Sequence, residues 1–87
     1  IEFSINNIYP NPFNPTTQIL IDIPEPTDVM LSVFDISGKK METLFKGRKA
    51  SGTYEFILDA SSYASGIYIV KLESNNIYKS NKIMLVK

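Results

Sequence analysis

The carboxylates are the residues of this chain that could do acid–base chemistry, because it contains no histidine and no cysteine. The sequence therefore lacks a Ser-His-Asp or Cys-His arrangement and a histidine- or thiolate-based metal site. The carboxylates are scattered, at Glu2, Asp22, Glu25, Asp28, Asp35, Glu42, Glu55, Asp59 and Glu73. A catalytic pair of the glycosidase type would have to be assembled from positions distant in the sequence. We predict a non-catalytic domain with no cofactor.

Two further kinds of binding site have little support in the sequence. Asp22, Glu25 and Asp28 could offer oxygen ligands to calcium, but they lack the acid at every second position that strong calcium loops have. The four glycines are isolated from one another, so there is no glycine-rich phosphate loop. We interpret the acids as turn caps and solvating groups, and the glycines as turn residues.

Length and composition indicate one small globular domain. The chain has 87 residues, of which 44% are hydrophobic and 21% charged, and a chain of this size buries about two-thirds of its unfolded surface. Nine basic and nine acidic side chains cancel, which excludes nucleic acid as the main partner. No apolar run approaches the roughly 20 residues of a transmembrane segment. Because the chain begins at Ile1 without a signal peptide, we expect a fragment or processed product whose targeting signal lay upstream.

Three of the five prolines fall in Tyr9-Pro10-Asn11-Pro12-Phe13-Asn14-Pro15-Thr16-Thr17. Each proline fixes its own φ and lacks an N–H, so this stretch is neither a helix nor a central strand. The side chains of Asn11 and Asn14 can bond nearby backbone N–H groups, as in a defined turn. We predict a rigid lead-in that Phe13 pins to the core. Asn-Pro-Phe also matches a short adaptor-binding tripeptide, and we favour the turn.

Alternating apolar residues predict a series of short strands. The segment 1–8 reads as an edge strand or a linker remnant, with Phe3 and Ile5 on one side and Ile8 out of step. Further strands are expected at 17–23, 29–34, 54–58, 68–72 and from about 77 to 86, where four consecutive apolar residues leave the phase open. Met41 and Leu44 are three positions apart, which favours a bulged strand over 40–45.

These strands, with turn residues between them, predict an all-β fold: an antiparallel β-sandwich of about seven strands. Tyr63, in the long loop after the fifth strand, is expected to place its ring on the core. Edge strands would be protected by the prolines and by lysines such as Lys71 and Lys79.

Two surface features have alternative interpretations. Lys39, Lys40, Lys46, Arg48 and Lys49 fall on one predicted hairpin and form either a docking patch or, as we favour, a solvated hairpin. The five tyrosines could stack on sugars, but most occupy positions phased toward the core or anchoring loops, and the chain has no tryptophan.

Four blocks follow one another along the chain: Tyr9-Pro-Asn-Pro-Phe-Asn-Pro-Thr-Thr17, Val33-Phe-Asp-Ile-Ser-Gly-Lys39, Ser65-Gly-Ile-Tyr-Ile-Val-Lys-Leu72 and Lys82-Ile-Met-Leu-Val-Lys87. Together they cover nearly the whole chain and resemble the type IX secretion system (Por secretion system) C-terminal sorting domain, type A. The first and third blocks are the specific ones. Leu58 stands where relatives often have Trp, and Tyr63 where they often have Leu, and we interpret both as compensating changes in the core.

The resemblance implies an immunoglobulin-like β-sandwich from exported proteins of Bacteroidetes and relatives. It implies that residues 9–87 form a non-catalytic sorting domain that carries an upstream cargo domain across the outer membrane. The implied partners are the type IX translocon and a surface peptidase that removes the domain. The implied location is the periplasm in transit and then the cell surface or the extracellular space.

Carried over by position, the resemblance assigns sorting or structural roles to matched motif residues. They are Pro10, Asn11, Pro12, Phe13, Asn14 and Pro15, the turn residues Gly38 and Gly52, then Ser65, Gly66 and Tyr68, and finally Lys82, Ile83, Met84, Leu85, Val86 and Lys87. The alternative function is a structural or adhesive immunoglobulin-like module, either flagellar hook-cap-like or a carbohydrate-binding accessory domain. A position in the middle of its parent chain would favour that alternative.

Overall fold

A computed structural model describes residues 2–75 and 77–87, and these residues form seven β-strands. The strands are β1 Ser4–Tyr9, β2 Thr16–Ile23, β3 Thr27–Asp35, β4 Lys40–Lys49, β5 Gly52–Asp59, β6 Gly66–Ser74 and β7 Ile77–Leu85. Ile1, in the predicted N-terminal segment, lies outside the described residues. Within the described ranges the structure contains no helix long and apolar enough to cross a membrane.

The strands of the described chain pair antiparallel in two sheets, a small one of order β1-β2-β5 and a large one of order β4-β3-β6-β7. The sheets pack face to face around one core. β1 and β2, β3 and β4, and β6 and β7 pair within one sheet, and the other connections cross from one sheet to the other. This arrangement is an immunoglobulin-like β-sandwich. The predicted all-β fold class is confirmed.

The core consists of the apolar residues that alternate along the strands. Its fully buried side chains include Ile19, Ile21, Ile23, Leu31, Val33, Leu58, Val70, Leu72, Ile83 and Leu85. In β2, β3, β5 and β6, one set of alternating apolar residues lies between the sheets, in agreement with the alternation that predicted these strands. Tyr63 is also buried, as expected from its position in the loop after β5.

Bulges explain the two irregular patterns in the sequence. Leu31 pairs with Phe45 and Ser32 with Thr43, so Leu44 is the extra residue, and a second shift makes Met41 extra in the same way. The bulged strand predicted from Met41 and Leu44 is thus confirmed. In β1 a shift between Ile5 and Asn7 returns Ile8 to the core side, where it packs against the buried residues.

The prediction that Lys71 protects a sheet edge is wrong. Lys71 lies on β6, which is bonded on both sides by β3 and β7. Its ammonium lies 4.8 Å from the ring centroid of Tyr78 and 5.8 Å from that of Phe34, so it covers aromatic rings on the outer face of the large sheet. Strand alternation sets the face of a residue but not the lateral position of its strand. Lys79, in contrast, does lie on the edge strand β7.

The buried carboxylate of Asp22 connects the three strands of the small sheet. It accepts hydrogen bonds from the Thr53 hydroxyl at 2.6 Å and from the Asn6 amide at 2.7 Å. These bonds, with Thr53 the larger cause, hold the pKa of Asp22 below its ordinary value. The charged form is therefore the one that the folded state favours.

We expect Asp22→Asn to weaken the pH dependence of stability. Because the folded pKa is lowered, Asp22 stabilises the fold above the unfolded value of 3.8, and this contribution is lost as pH falls through the folded pKa. Urea denaturation at pH 7 should show the variant to be less stable, with a difference that shrinks toward pH 3. Parallel pH profiles for the two proteins would contradict this.

Candidate recognition surface

The proline segment, residues 10–15, leaves β1 and runs beside the end of β7. The Phe13 N–H donates to the Met84 carbonyl at 2.9 Å, and the Val86 N–H donates to the Phe13 carbonyl at 2.9 Å. Phe13 and Leu85 form a parallel bridge. A segment rich in prolines has few backbone N–H groups. Phe13 has such a group, and its N–H and its C=O both pair with the outer edge of β7 near the end of that strand.

Asn11 continues this pairing with its side chain. Its Oδ1 accepts from the Met84 N–H at 3.0 Å, and its Nδ2 donates to the Lys82 carbonyl at 3.3 Å. The carboxamide thus supplies one acceptor and one donor, as the peptide groups of a neighbouring strand would. The expectation that Asn11 bonds nearby backbone is wrong, because its partners lie more than 70 positions along the chain.

The Phe13 side chain fixes the proline segment to the core. Its ring is 2% exposed, which confirms the predicted pin and leaves the ring inaccessible to an adaptor protein. The segment is also held at both ends: the Thr17 hydroxyl donates to the Pro10 carbonyl at 2.7 Å, and the Ala60 N–H donates to the Pro15 carbonyl at 2.9 Å. The sequence placed Thr17 at the end of the proline stretch and in a strand, but no pattern linked its hydroxyl to Pro10, so sequence reasoning missed this contact.

The third sequence block lies on the other side of β7. Gly66 pairs with Leu85 and Tyr68 with Ile83 in the antiparallel ladder. Beyond the strand, the Lys87 N–H donates to the Ser65 hydroxyl at 3.2 Å. The end of β7 is therefore held between the proline segment on its outer edge and β6 on its inner edge.

The terminal segment, residues 82–87, divides into two sets that alternate. Ile83 and Leu85 are buried, whereas Met84 is 42% and Val86 49% exposed. Lys82 and Lys87 are also exposed, and the Lys87 ammonium donates to the Ser61 carbonyl at 2.7 Å. This settles the phase that the consecutive apolar residues left open. The terminal segment has a buried anchor and an exposed surface of two apolar groups flanked by lysines.

We call residues 10–15, 65–68 and 82–87 the motif cluster. Of the predicted site residues outside it, Gly38 lies in the β3–β4 turn, with its N–H donating to the Asp35 carbonyl at 3.0 Å and a φ of +92° that favours glycine. This turn faces Ser65–Tyr68 across a shallow groove. Gly52 pairs with Ile23, at the end of the small sheet away from Pro15. The structure brings Gly52 into no contact with the motif cluster.

Tyr63 supports the motif cluster from beneath, a role that sequence reasoning assigned only in part. Its ring centroid lies 5.2 Å from that of Tyr68, and its hydroxyl donates to the Glu42 carboxylate. Burial, and then the bond to Glu42, raises the pKa of the Tyr63 phenol. The Tyr68 hydroxyl donates to the Ala64 carbonyl at 2.5 Å, which fixes the loop before β6. No sequence pattern linked Glu42 to Tyr63.

The cations of the β3–β4 hairpin divide between the two faces of β4. Lys46 and Arg48 pair with Met30 and Asp28 on the outer face. Lys49 instead lies 4.5 Å from the ring centroids of both Phe45 and Tyr54, on the side that meets the small sheet. A single docking patch of all five cations is therefore not formed.

The tyrosines likewise do not share one surface. Tyr63 and Tyr68 are buried, and Tyr54 is half-buried beneath Lys49. The exposed pair, Tyr9 and Tyr78, lies on different sheets. This arrangement offers no flat row of rings for a sugar chain.

A family model described as "Secretion system C-terminal sorting domain" matches residues 7–87. The matched range begins within β1 and includes all three parts of the motif cluster. No curated protein and no solved structure matches the chain.

Proposed function

Because the chain belongs to the family of secretion-system C-terminal sorting domains, it carries a sorting signal for type IX secretion, and we propose that the secretion machinery recognises this signal at the motif cluster. The family directs its cargo through the envelope to the cell surface or the extracellular space. Sorting domains of this family interact with the secretion machinery and are themselves non-catalytic.

One observation favours the motif cluster over other surfaces as the recognition site. Three sequence blocks that are distant along the chain meet at the end of β7, where Asn11 and Ser65 accept hydrogen bonds from the backbone of the terminal segment and Phe13 both donates and accepts. The buried residues of these blocks hold the strand, and the blocks also carry exposed residues, among them Asn11, Ser65, Met84 and Val86. A sorting signal must be recognised on many unrelated cargo proteins, so it has to be complete within the domain, and all three blocks lie within this domain.

The proposed partners act at different ends of the sandwich. The translocon reads the exposed residues of the terminal segment, and the cargo domain lies upstream of β1. The surface peptidase cuts on that upstream side, because residues from Ser4 onward are paired with β2. The division into residues 1–8 and 9–87 stays a prediction, and β1 runs across it.

A fusion experiment tests the sorting function. Residues 1–87 are appended to a periplasmic reporter in a bacterium with a working type IX system, and the reporter is assayed in the periplasm, at the cell surface and in the medium. We expect the fusion at the surface or in the medium, and the reporter alone in the periplasm. Retention of the intact fusion in the periplasm would overturn the proposal.

Met84→Glu is expected to reduce surface delivery of the fusion about tenfold or more, equivalent to about 1.4 kcal/mol of lost recognition. Met84 is 42% exposed, so a carboxylate there alters the recognition surface while the buried anchor remains. Quantitative immunoblotting of cell fractions measures delivery, and thermal denaturation checks the fold. The matched control is Ile57→Glu, at a position 54% exposed on the small sheet. Equal delivery of both variants would place recognition elsewhere.

A further inference from the structure

Before the terminal segment, the outer edge of β7 has no hydrogen-bonded strand among residues 2–75 and 77–87, although β1 of the small sheet passes close to β7. β7 is last in the order of the large sheet and pairs with β6 over nine residues without a register shift. The proline segment covers only its far end, from Lys82 to Val86. The side chains from Ile77 to Lys82 are all exposed.

The backbone of this stretch is oriented for pairing. The N–H and the C=O of Met84 both bond to the proline segment, so the backbone groups of Met84 point away from β6. Because a regular antiparallel strand alternates this direction with every residue, the N–H and C=O groups of Tyr78 and Ser80 point outward as well. These outward-pointing groups can pair with another strand as far as Lys82, whose carbonyl already accepts a bond from Asn11.

Other sheet edges of the described chain carry features that hinder pairing. β1 has a bulge at Asn6, and β4 has bulges at Met41 and Leu44. Bulges twist an edge and break its register, which is how proteins protect exposed edges. β5 lies beneath Lys49, whose ammonium is over the rings of Tyr54 and Phe56. The stretch from Ile77 to Lys82 has no bulge and no proline.

Charge selects the kind of strand that fits this edge. Residues 77–87 include Lys79 and Lys82 and contain no acidic residue. The acid opposite Tyr78, Glu73, has a carboxylate oxygen 3.8 Å from the Lys71 ammonium, so it is already paired with a cation. A second copy of β7 would add two further lysines and no acid to this edge, so it offers no charge complementarity. An acidic segment gains from the same lysines.

We infer that the outer edge of β7 from Tyr78 to Lys82 accepts an extended acidic segment of a partner protein as an added strand. Main-chain bonds to Tyr78 and Ser80 hold the segment, and Asn11 sets its limit. Lys79 and Lys82 lie three positions apart on opposite faces of β7. The partner segment therefore carries two acidic residues three positions apart, one for each lysine. The inference rests on the proposed function, because the partner belongs to the secretion machinery.

Ser80→Pro tests strand addition in the reporter fusion. The N–H of Ser80 points away from β6, so proline removes a bond to the added strand and none within the sheet. We expect the variant to keep a cooperative thermal transition and to reach the surface at least about tenfold less than the intact fusion, or about 1.4 kcal/mol. Export of a folded Ser80→Pro fusion at the intact level overturns strand addition while the proposed function stands.

A charge-reversed variant keeps the test decisive if Ser80→Pro does not fold. Lys79→Glu combined with Lys82→Glu changes two exposed side chains and should reduce surface delivery to a similar extent. Lys46→Glu, on the edge strand β4, is the control and should be delivered normally. Normal delivery of the double variant overturns the inference. Retention of the intact fusion overturns the proposed function and, with it, the inference.

Discussion

Replacing Phe13 with alanine is expected to lower the free energy of unfolding by about 3 to 5 kcal/mol, the range for deleting a buried aromatic ring. The Phe13 ring is 2% exposed and belongs to the core. Its backbone joins the proline segment to Met84 and Val86, so the cavity forms where two distant parts of the chain meet. Urea denaturation followed by circular dichroism measures the loss.

The control for this variant is Tyr9→Ala. Tyr9 precedes the proline segment and is 69% exposed, so its truncation should change stability by no more than about 0.5 kcal/mol. Equal stability of the two variants would contradict the anchoring role of Phe13. Because small domains have only about 5 to 15 kcal/mol of stability, we expect Phe13→Ala to melt at a markedly lower temperature as well.

Local pattern was sufficient to predict most of the fold. Ile19, Ile21 and Ile23 specify the buried face of β2, because side chains alternate along a strand. The irregular spacing of Met41 and Leu44 indicated a bulged strand, and the structure has one extra residue at each. These features depend on neighbours within a few positions, which is the range over which sequence periodicity carries information.

Lateral strand order and long-range contacts could not be predicted in this way. The sequence placed Lys71 on an edge, whereas β6 is a central strand. Asn11 was expected to bond its own turn and instead bonds β7. Both errors concern which distant segments become neighbours, and no local periodicity encodes that choice.

The candidate site was predicted as separate blocks and not as one surface. The resemblance marked residues of the proline segment, Ser65–Tyr68 and the terminal segment, and the structure joins all three at β7. Gly52 was marked in the same way but lies at the other end of the small sheet. A turn glycine is required for backbone conformation wherever a turn occurs, so its presence in a motif says little about recognition.

Removing Lys82–Lys87 is expected to unfold most of the domain, and not only to remove a recognition surface. The deletion takes away Ile83 and Leu85, which are each 1% exposed. Deleting a buried aliphatic side chain costs about 2 to 5 kcal/mol, so the two together account for about 4 to 10 kcal/mol. This loss is comparable to the whole stability of a small domain. Circular dichroism of residues 1–81 should show no cooperative transition.

A second variant, which alters only the exposed side chains of the terminal segment, is therefore required to separate lost folding from lost recognition. Met84→Ser combined with Val86→Ser keeps both buried side chains and the backbone bonds to Phe13, and should retain a cooperative transition. A fusion that fails only after truncation reports a lost fold, whereas one that also fails with the double serine variant reports lost recognition. A stable, cooperatively melting chain of residues 1–81 would contradict the structural role of Ile83 and Leu85.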